Sequence, residues 1–147
     1  MSGQKKKTVL ALLFALYLTV LLVLLFHRAP REGYNYNLVP FLGIKSYFLT
    51  MAMHNPETKA LQIYGWVNFL GNIFAFFPLG LLLPLLFGRE KSFPFFLLTA
   101  AAAICAVELL QLWTHRGALD VDDLILNLPG SCLGWLCSWL MSRKTEQ

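Results

Sequence analysis

Four stretches of this chain leave little choice of fold. Residues 8–26 carry no charged side chain, residues 66–87 carry none either, and residues 93–113 and 123–141 carry one each, Glu108 and Asp123. Each is long enough, at about 1.5 Å per residue, to cross a hydrocarbon layer about 30 Å thick. Inside lipid every main-chain N–H and C=O must find its partner within the chain, which selects helices for segments of this length. The expected fold class is therefore an all-α membrane protein: a four-transmembrane-helix bundle, one domain over residues 1–147. Its long first extracytoplasmic loop would carry an interfacial or re-entrant segment. A composition of 57% hydrophobic and 14% charged residues excludes an ordinary soluble globule.

Lys5, Lys6 and Lys7 before the first apolar run give it the look of a signal peptide. The run is longer than a typical signal core and is followed by His27-Arg28-Ala29-Pro30 rather than a small-x-small cleavage site, so it reads as an uncleaved first span. The net charge of +4 comes from basic residues that border apolar runs. No basic patch interleaved with aromatics lies outside the spans, so nucleic acid is not an expected partner. Cys105, Cys132 and Cys137 all sit in apolar runs, an odd set that suits small apolar fillers better than disulfides or a metal site.

Four spans put both termini on one side. That side then holds Lys5, Lys6, Lys7, Arg89, Lys91, Arg143 and Lys144 in short flanking segments, against Arg28, Arg31, Lys45, Lys59 and Arg116 on the other. The positive-inside rule places the termini in the cytoplasm of a cell-membrane protein. The 27–63 connection and the 114–120 turn then face outward. Within the connection, Ile44, Tyr47, Phe48 and Met51 follow i, i+3, i+4, i+7 spacing, with Lys45, Ser46 and Thr50 pointing elsewhere. This is the pattern of a helix lying in the membrane interface, ended by Asn55-Pro56. Pro78 and Pro84 should kink the second span, and the Gly130-x-x-x-Gly134 pair marks a close helix contact in the fourth.

The polar residues of the spans gather at one end. With this orientation Asn68 and Asn72 share a face near the outer end of the second span. Glu108 and Gln111 lie about 7.5 and 3 Å below the outer end of the third, and Asn127 about 6 Å into the fourth. Asp120, Asp122 and Asp123 stand at the fourth helix start, with Arg116 just before them. Ionisable groups in apolar spans are costly and are site candidates for that reason. The expectation is one outward-opening polar pocket. Glu108 should point into the bundle, paired with Arg116 or hydrogen-bonded by Asn68, Asn72 or Asn127, and Asp120 should meet Arg116. His115, seven residues after Glu108, should share its helix face. The plainer alternative is that Asp122 and Asp123 only serve the amide-rich start of their own helix.

Four motifs carry a resemblance to a known family. They are Asn37-Leu38-Val39-Pro40-Phe41; Asn68-Phe69-Leu70-Gly71-Asn72-Ile73 continuing to Phe77-Pro78-Leu79-Gly80; Glu108-Leu109-Leu110-Gln111; and Arg116 through Asp120-Val121-Asp122-Asp123 to Asn127 and Gly130. In this order the chain resembles the VanZ-like family from about Asn37 to Leu136. Leu128-Pro129 departs from the family's more usual Thr-Leu and would bend the fourth helix. The resemblance implies a multipass membrane protein linked to low-level resistance to glycopeptides such as teicoplanin. It supplies no reaction and no cofactor.

Two chemistries follow. In the first, the pocket residues Asn37, Asn68, Asn72, Glu108, Gln111, Arg116, Asp120, Asp122, Asp123 and Asn127 bind a lipid-linked cell-wall precursor, or the lipoglycopeptide itself, at the outer leaflet. The amides would meet sugar or peptide groups and Arg116 would clamp a phosphate or carboxylate, with membrane lipid as the surroundings. In the second, the chain is an enzyme on a lipid-linked phosphate or sugar, with a divalent cation at the acidic turn and His115 as general base. Adjacent Asp122 and Asp123 diverge on a helix, and the chain has no zinc-ligand spacing and no phosphate-cradling glycine loop, which weighs against the second.

Overall fold

The computed structural model describes residues 3–27, 29–30, 32–33, 35–53, 56–88 and 92–145. Arg28, Arg31, Tyr34, Asn55, Arg89, Glu90 and Lys91, on which parts of the loop and charge reading rest, lie outside the described residues. The order is α1 (Gly3–Phe26), β1 (Tyr36–Asn37), α2 (Leu42–Met51), a single tight turn at Pro56–Thr58, α3 (Lys59–Ala75), α4 (Phe77–Leu86), α5 (Phe93–Trp113), β2 (Leu119–Asp120) and α6 (Val121–Thr145). Among the described residues four helices are long and apolar enough to cross a membrane: Gly3–Phe26, the α3–α4 pair Lys59–Leu86, Phe93–Trp113 and Val121–Arg143. The chain is a multipass, predominantly helical membrane protein, and the large apolar side chains exposed on its outer faces, Leu12, Leu16, Val23, Leu98 and Leu133 among them, are what lipid would cover.

The second span starts at Lys59, earlier than the apolar run alone suggests. Its first turns carry α2: a Cβ at Gly65 would stand 2.3 Å from the Thr50 hydroxyl and 2.9 Å from the Tyr47 carbonyl, so the two helices touch main chain to main chain there. Thr50 thus belongs to the packed side of α2, not to its free side, while Phe48 is exposed and leans on Phe69 at a ring separation of 5.2 Å. The same span is interrupted at Phe76, just before Pro78. Proline lacks the N–H that would bond the Phe74 carbonyl four residues back, and its ring crowds that carbonyl, which opens the helix at this point. Tyr17 of α1 donates its hydroxyl to the Ala75 carbonyl at this break, 2.9 Å away. α4 and α6 both run on through Pro84 and Pro129.

The apolar core joins three helices: Leu21 of α1, Phe76, Leu79 and Leu83 around α4, and Phe96, Ala100 and Ile104 of α5. α6 closes the bundle by its glycines. A Cβ at Gly130 would fall 1.8 Å from the Ile73 carbonyl oxygen, one at Gly134 2.1 Å from that of Phe77, and one at Gly80 1.8 Å from that of Ser131. Small residues let helices approach at backbone distance, and the spaced glycine pair read from the sequence does this against α3 and α4. That tight seam fixes the first turns of α6, where the acidic residues stand, relative to Asn72 of α3.

Candidate functional site

α5 ends in a turn that determines what its last residues can reach. Thr114 closes the helix and His115 takes a left-handed conformation, φ 56°. The His115 N–H then bonds the Leu112 carbonyl and the Arg116 N–H the Gln111 carbonyl, the paired bonds of a Schellman end. His115 is therefore off the helical face it was expected to share with Glu108. Its ring nitrogen Nδ1 is 3.0 Å from the Gly33 carbonyl. Arg116 is swung toward the end of α1, where Nη1 donates to the Phe26 carbonyl at 2.9 Å. Gln111 serves the same helix end through Nε2 to the Leu25 carbonyl, 3.3 Å. Through this nitrogen the guanidinium satisfies a main-chain carbonyl that α1 leaves open, and the partners of Glu108 and Asp120 are other groups than the arginine expected.

The turn then runs back along the first loop. Leu119 donates its N–H to the Asn35 carbonyl, and the two-residue strands β1 and β2 pair in parallel, Tyr36 with Leu119 and Asn37 with Asp120. Asn37 donates Nδ2 to Asp120 Oδ1 at 2.9 Å and accepts the Val39 N–H on its own Oδ1. The same Asp120 oxygen accepts the Asp122 N–H, so Asp120 caps the start of α6. Asp120 in turn offers its own N–H to Glu108 Oε2 at 3.0 Å. Glu108 does point into the bundle and is 4% exposed. Its partner is main chain, not the arginine or the amides expected.

Asp122, 1% exposed, does not serve its own helix. Its carboxylate reaches the start of α2 and accepts three N–H groups, from Phe41 at 2.5 Å, Gly43 at 2.6 Å and Ile44 at 3.1 Å. Phe41 is left-handed there, φ 66°, which turns successive amides toward one point, an anion-binding nest filled by the protein's own carboxylate. Asp123, the next residue, points the other way and takes the Nδ2 of Asn72.

Between these groups lies a cavity of about 200 Å³ at the loop end of the bundle. Asn68, Asn72, Glu108, Gln111, Asp120, Asp123 and Asn127 line it, so these sequence-predicted residues are brought together. Asn37, Arg116 and Asp122 are not in the lining; they hold the elements around it. Leu25, Phe76 and Val107 give it apolar walls, and Tyr47 of α2 and Tyr64 of α3 stand at its edge with rings 6.5 Å apart, edge to face. The tyrosines were missed. Tyr47 could have been found from its place on the packed face of α2, since a phenol there brings a polar tip to whatever lies beneath. Burial first, then the charges of Asp123, Asp120 and Asp122 together with the Tyr64 phenol, push its phenol pKa up, so it stays protonated and able to donate. Asn127 is 4% exposed, and its Oδ1 has no hydrogen-bond partner. The three aspartates face three different ways, and among the described residues no group of three His, Cys, Asp or Glu side chains converges as metal ligands.

No curated protein and no solved structure matches this chain. Residues 12–142 match the family described as VanZ/LLP1, nearly from end to end and across all four spans. The chain belongs to the VanZ/LLP1 family of membrane proteins.

Proposed function

We propose that the protein binds the polar head of a membrane-resident envelope molecule, a lipid-linked cell-wall precursor or a lipoglycopeptide of the teicoplanin kind, at the outer leaflet of the cell membrane, with both termini in the cytoplasm. The observation that carries this reading is the cavity itself: a pocket lined by carboxylates and amides, at the loop end of an otherwise apolar bundle. Polar groups sunk in a spanning bundle cost insertion energy that only a use repays. A volume of about 200 Å³ is below the range of about 300–1,000 Å³ usual for whole small molecules, which suits a head group whose lipid tail stays outside among the exposed apolar faces. Family membership supports a role in the envelope.

The test is growth of a susceptible host in teicoplanin. Expression of the wild type raises survival several-fold, and Glu108→Gln, present at equal level in the membrane, does not. Equal survival with and without the protein, or with wild type and Glu108→Gln alike, contradicts the reading.

A further inference from the structure

A groove of about 470 Å³ opens on the outer surface between α5 and α6, toward the end of the bundle that carries the termini. Phe93, Pro129, Cys132, Leu133, Trp135 and Leu136 line it, and none of them is charged. Leu133 and Leu136 are exposed, so the groove faces lipid. One wall of it is a ladder of rings. Phe93 and Trp135 meet at 4.9 Å, and the Trp139 ring follows 6.4 Å from that of Trp135 and nearly parallel to it. Arg143 ends the ladder, its guanidinium 3.8 Å from the Trp139 ring centre. Trp135, Trp139 and Arg143 stand four residues apart on one helix face, which puts the guanidinium about 12 Å beyond Trp135 along α6. Stacking occupies the face of the guanidinium and leaves its N–H edge for an acceptor. Among the described residues no carboxylate meets it.

The charge around the groove has one sign. The described acidic residues, Glu32, Glu57, Glu108, Asp120, Asp122 and Asp123, all belong to the opposite end of the bundle. Lys5, Lys6 and Lys7 are exposed at the start of α1, on the same end as Arg143. The helix ends there carry opposite partial charges, positive at the start of α5 and negative at the end of α6, so the side chains set the sign. We propose that the groove seats an acyl chain of an anionic phospholipid whose phosphate lies against Arg143. A wall without charge suits hydrocarbon, and tryptophan and arginine near the end of a span sit at head-group level. The guanidinium edge matches two phosphate oxygens. A zwitterionic lipid brings its own cation beside Arg143 and gains less there. The groove and the polar cavity lie toward opposite ends of the bundle, so this site stands or falls apart from the reading of the cavity.

The experiment reads the tryptophans of the ladder. With Trp66→Phe and Trp113→Phe, both at exposed positions, Trp135 and Trp139 are the emitters that remain. The full chain is placed in dioleoyl phosphatidylcholine vesicles with rising shares of dibromostearoyl phosphatidylglycerol or, in parallel, dibromostearoyl phosphatidylcholine, whose brominated tails quench tryptophan on contact. The tails are identical, so any difference is the head group's. Half-quenching comes at a share of brominated phosphatidylglycerol about fivefold lower than of brominated phosphatidylcholine. Arg143→Gln, at an exposed position, brings the two lipids level, and Arg143→Lys keeps most of the preference. Leu133→Phe, which fills the groove from its open side, raises the share of either lipid needed. Equal quenching by the two lipids in the parent protein, or a preference that Arg143→Gln leaves intact, overturns the proposal. A preference lost with Lys5→Gln, Lys6→Gln and Lys7→Gln together but kept in Arg143→Gln belongs to the membrane surface at large and overturns it as well. A second copy seated in the groove would shield the tryptophans from both lipids, and that result also contradicts it.

Discussion

The Asp122 carboxylate lies 2.6 Å from the Gly43 N–H, and this contact ties the first loop to the last helix across most of the chain. A Cβ at Gly43 would stand 3.1 Å from the same oxygen, so the approach leaves hardly room for a side chain. Through it α2 is set over α3 and α6, and Tyr47 is brought to the cavity.

Removing that carboxylate orphans three amides at once. Asp122→Ala is expected to lower stability by about 3 kcal/mol or more, read as a fall in unfolding temperature in detergent, with increased proteolysis at Leu42–Met51. Asp122→Asn keeps an acceptor and loses less. An Asp122→Ala protein as stable as the wild type would refute the anchoring role.

The glycine seam makes a second expectation. At Gly80 an added methyl meets the Ser131 carbonyl, which is main chain and cannot rotate away. Gly80→Ala should cost about 3 kcal/mol, whereas Gly71→Ala, whose Cβ would meet nothing within 4 Å, should be neutral or better. Equal unfolding temperatures for the two would mean that α4 and α6 are not in backbone contact.

His115 separates binding from general-base chemistry. His115→Gly relieves a left-handed side-chain conformation costing about 1–2 kcal/mol and loses a hydrogen bond to Gly33 worth about 1 kcal/mol. Its stability should change by no more than about 1 kcal/mol, and survival in teicoplanin should match the wild type. Loss of survival in a stable, well-expressed variant would restore a catalytic role for the imidazole.

What the sequence shows and hides follows from the range of each interaction. Four apolar runs and the glycine pair are local patterns, and the bundle and its seam follow from them. Glu108 and Asn127 were legible because polar groups inside apolar runs are conspicuous. Asp122 and Asp123 look alike in sequence, and what tells them apart is a partner far along the chain, the α2 start for one and Asn72 for the other. Arg116 was misplaced because the left-handed residue ending α5 is His115, while the glycine that usually marks such a position comes two residues later, at Gly117.

Orientation is tested by labelling. In a background with Cys105, Cys132 and Cys137 replaced by alanine, an impermeant maleimide should label Glu32→Cys in intact cells and Ser92→Cys only after permeabilisation. The reverse pattern would place the cavity on the cytoplasmic side and end the case for an outer-leaflet ligand.

The most direct measurement of the central claim is native mass spectrometry of the protein extracted gently from its own membranes. Wild-type protein should carry an adduct of one lipid-sized mass that tandem fragmentation releases, and Glu108→Gln and Asn127→Leu, extracted at equal yield, should lack it. A bare wild-type protein, or the same adduct on both variants, would contradict a head group bound in the cavity.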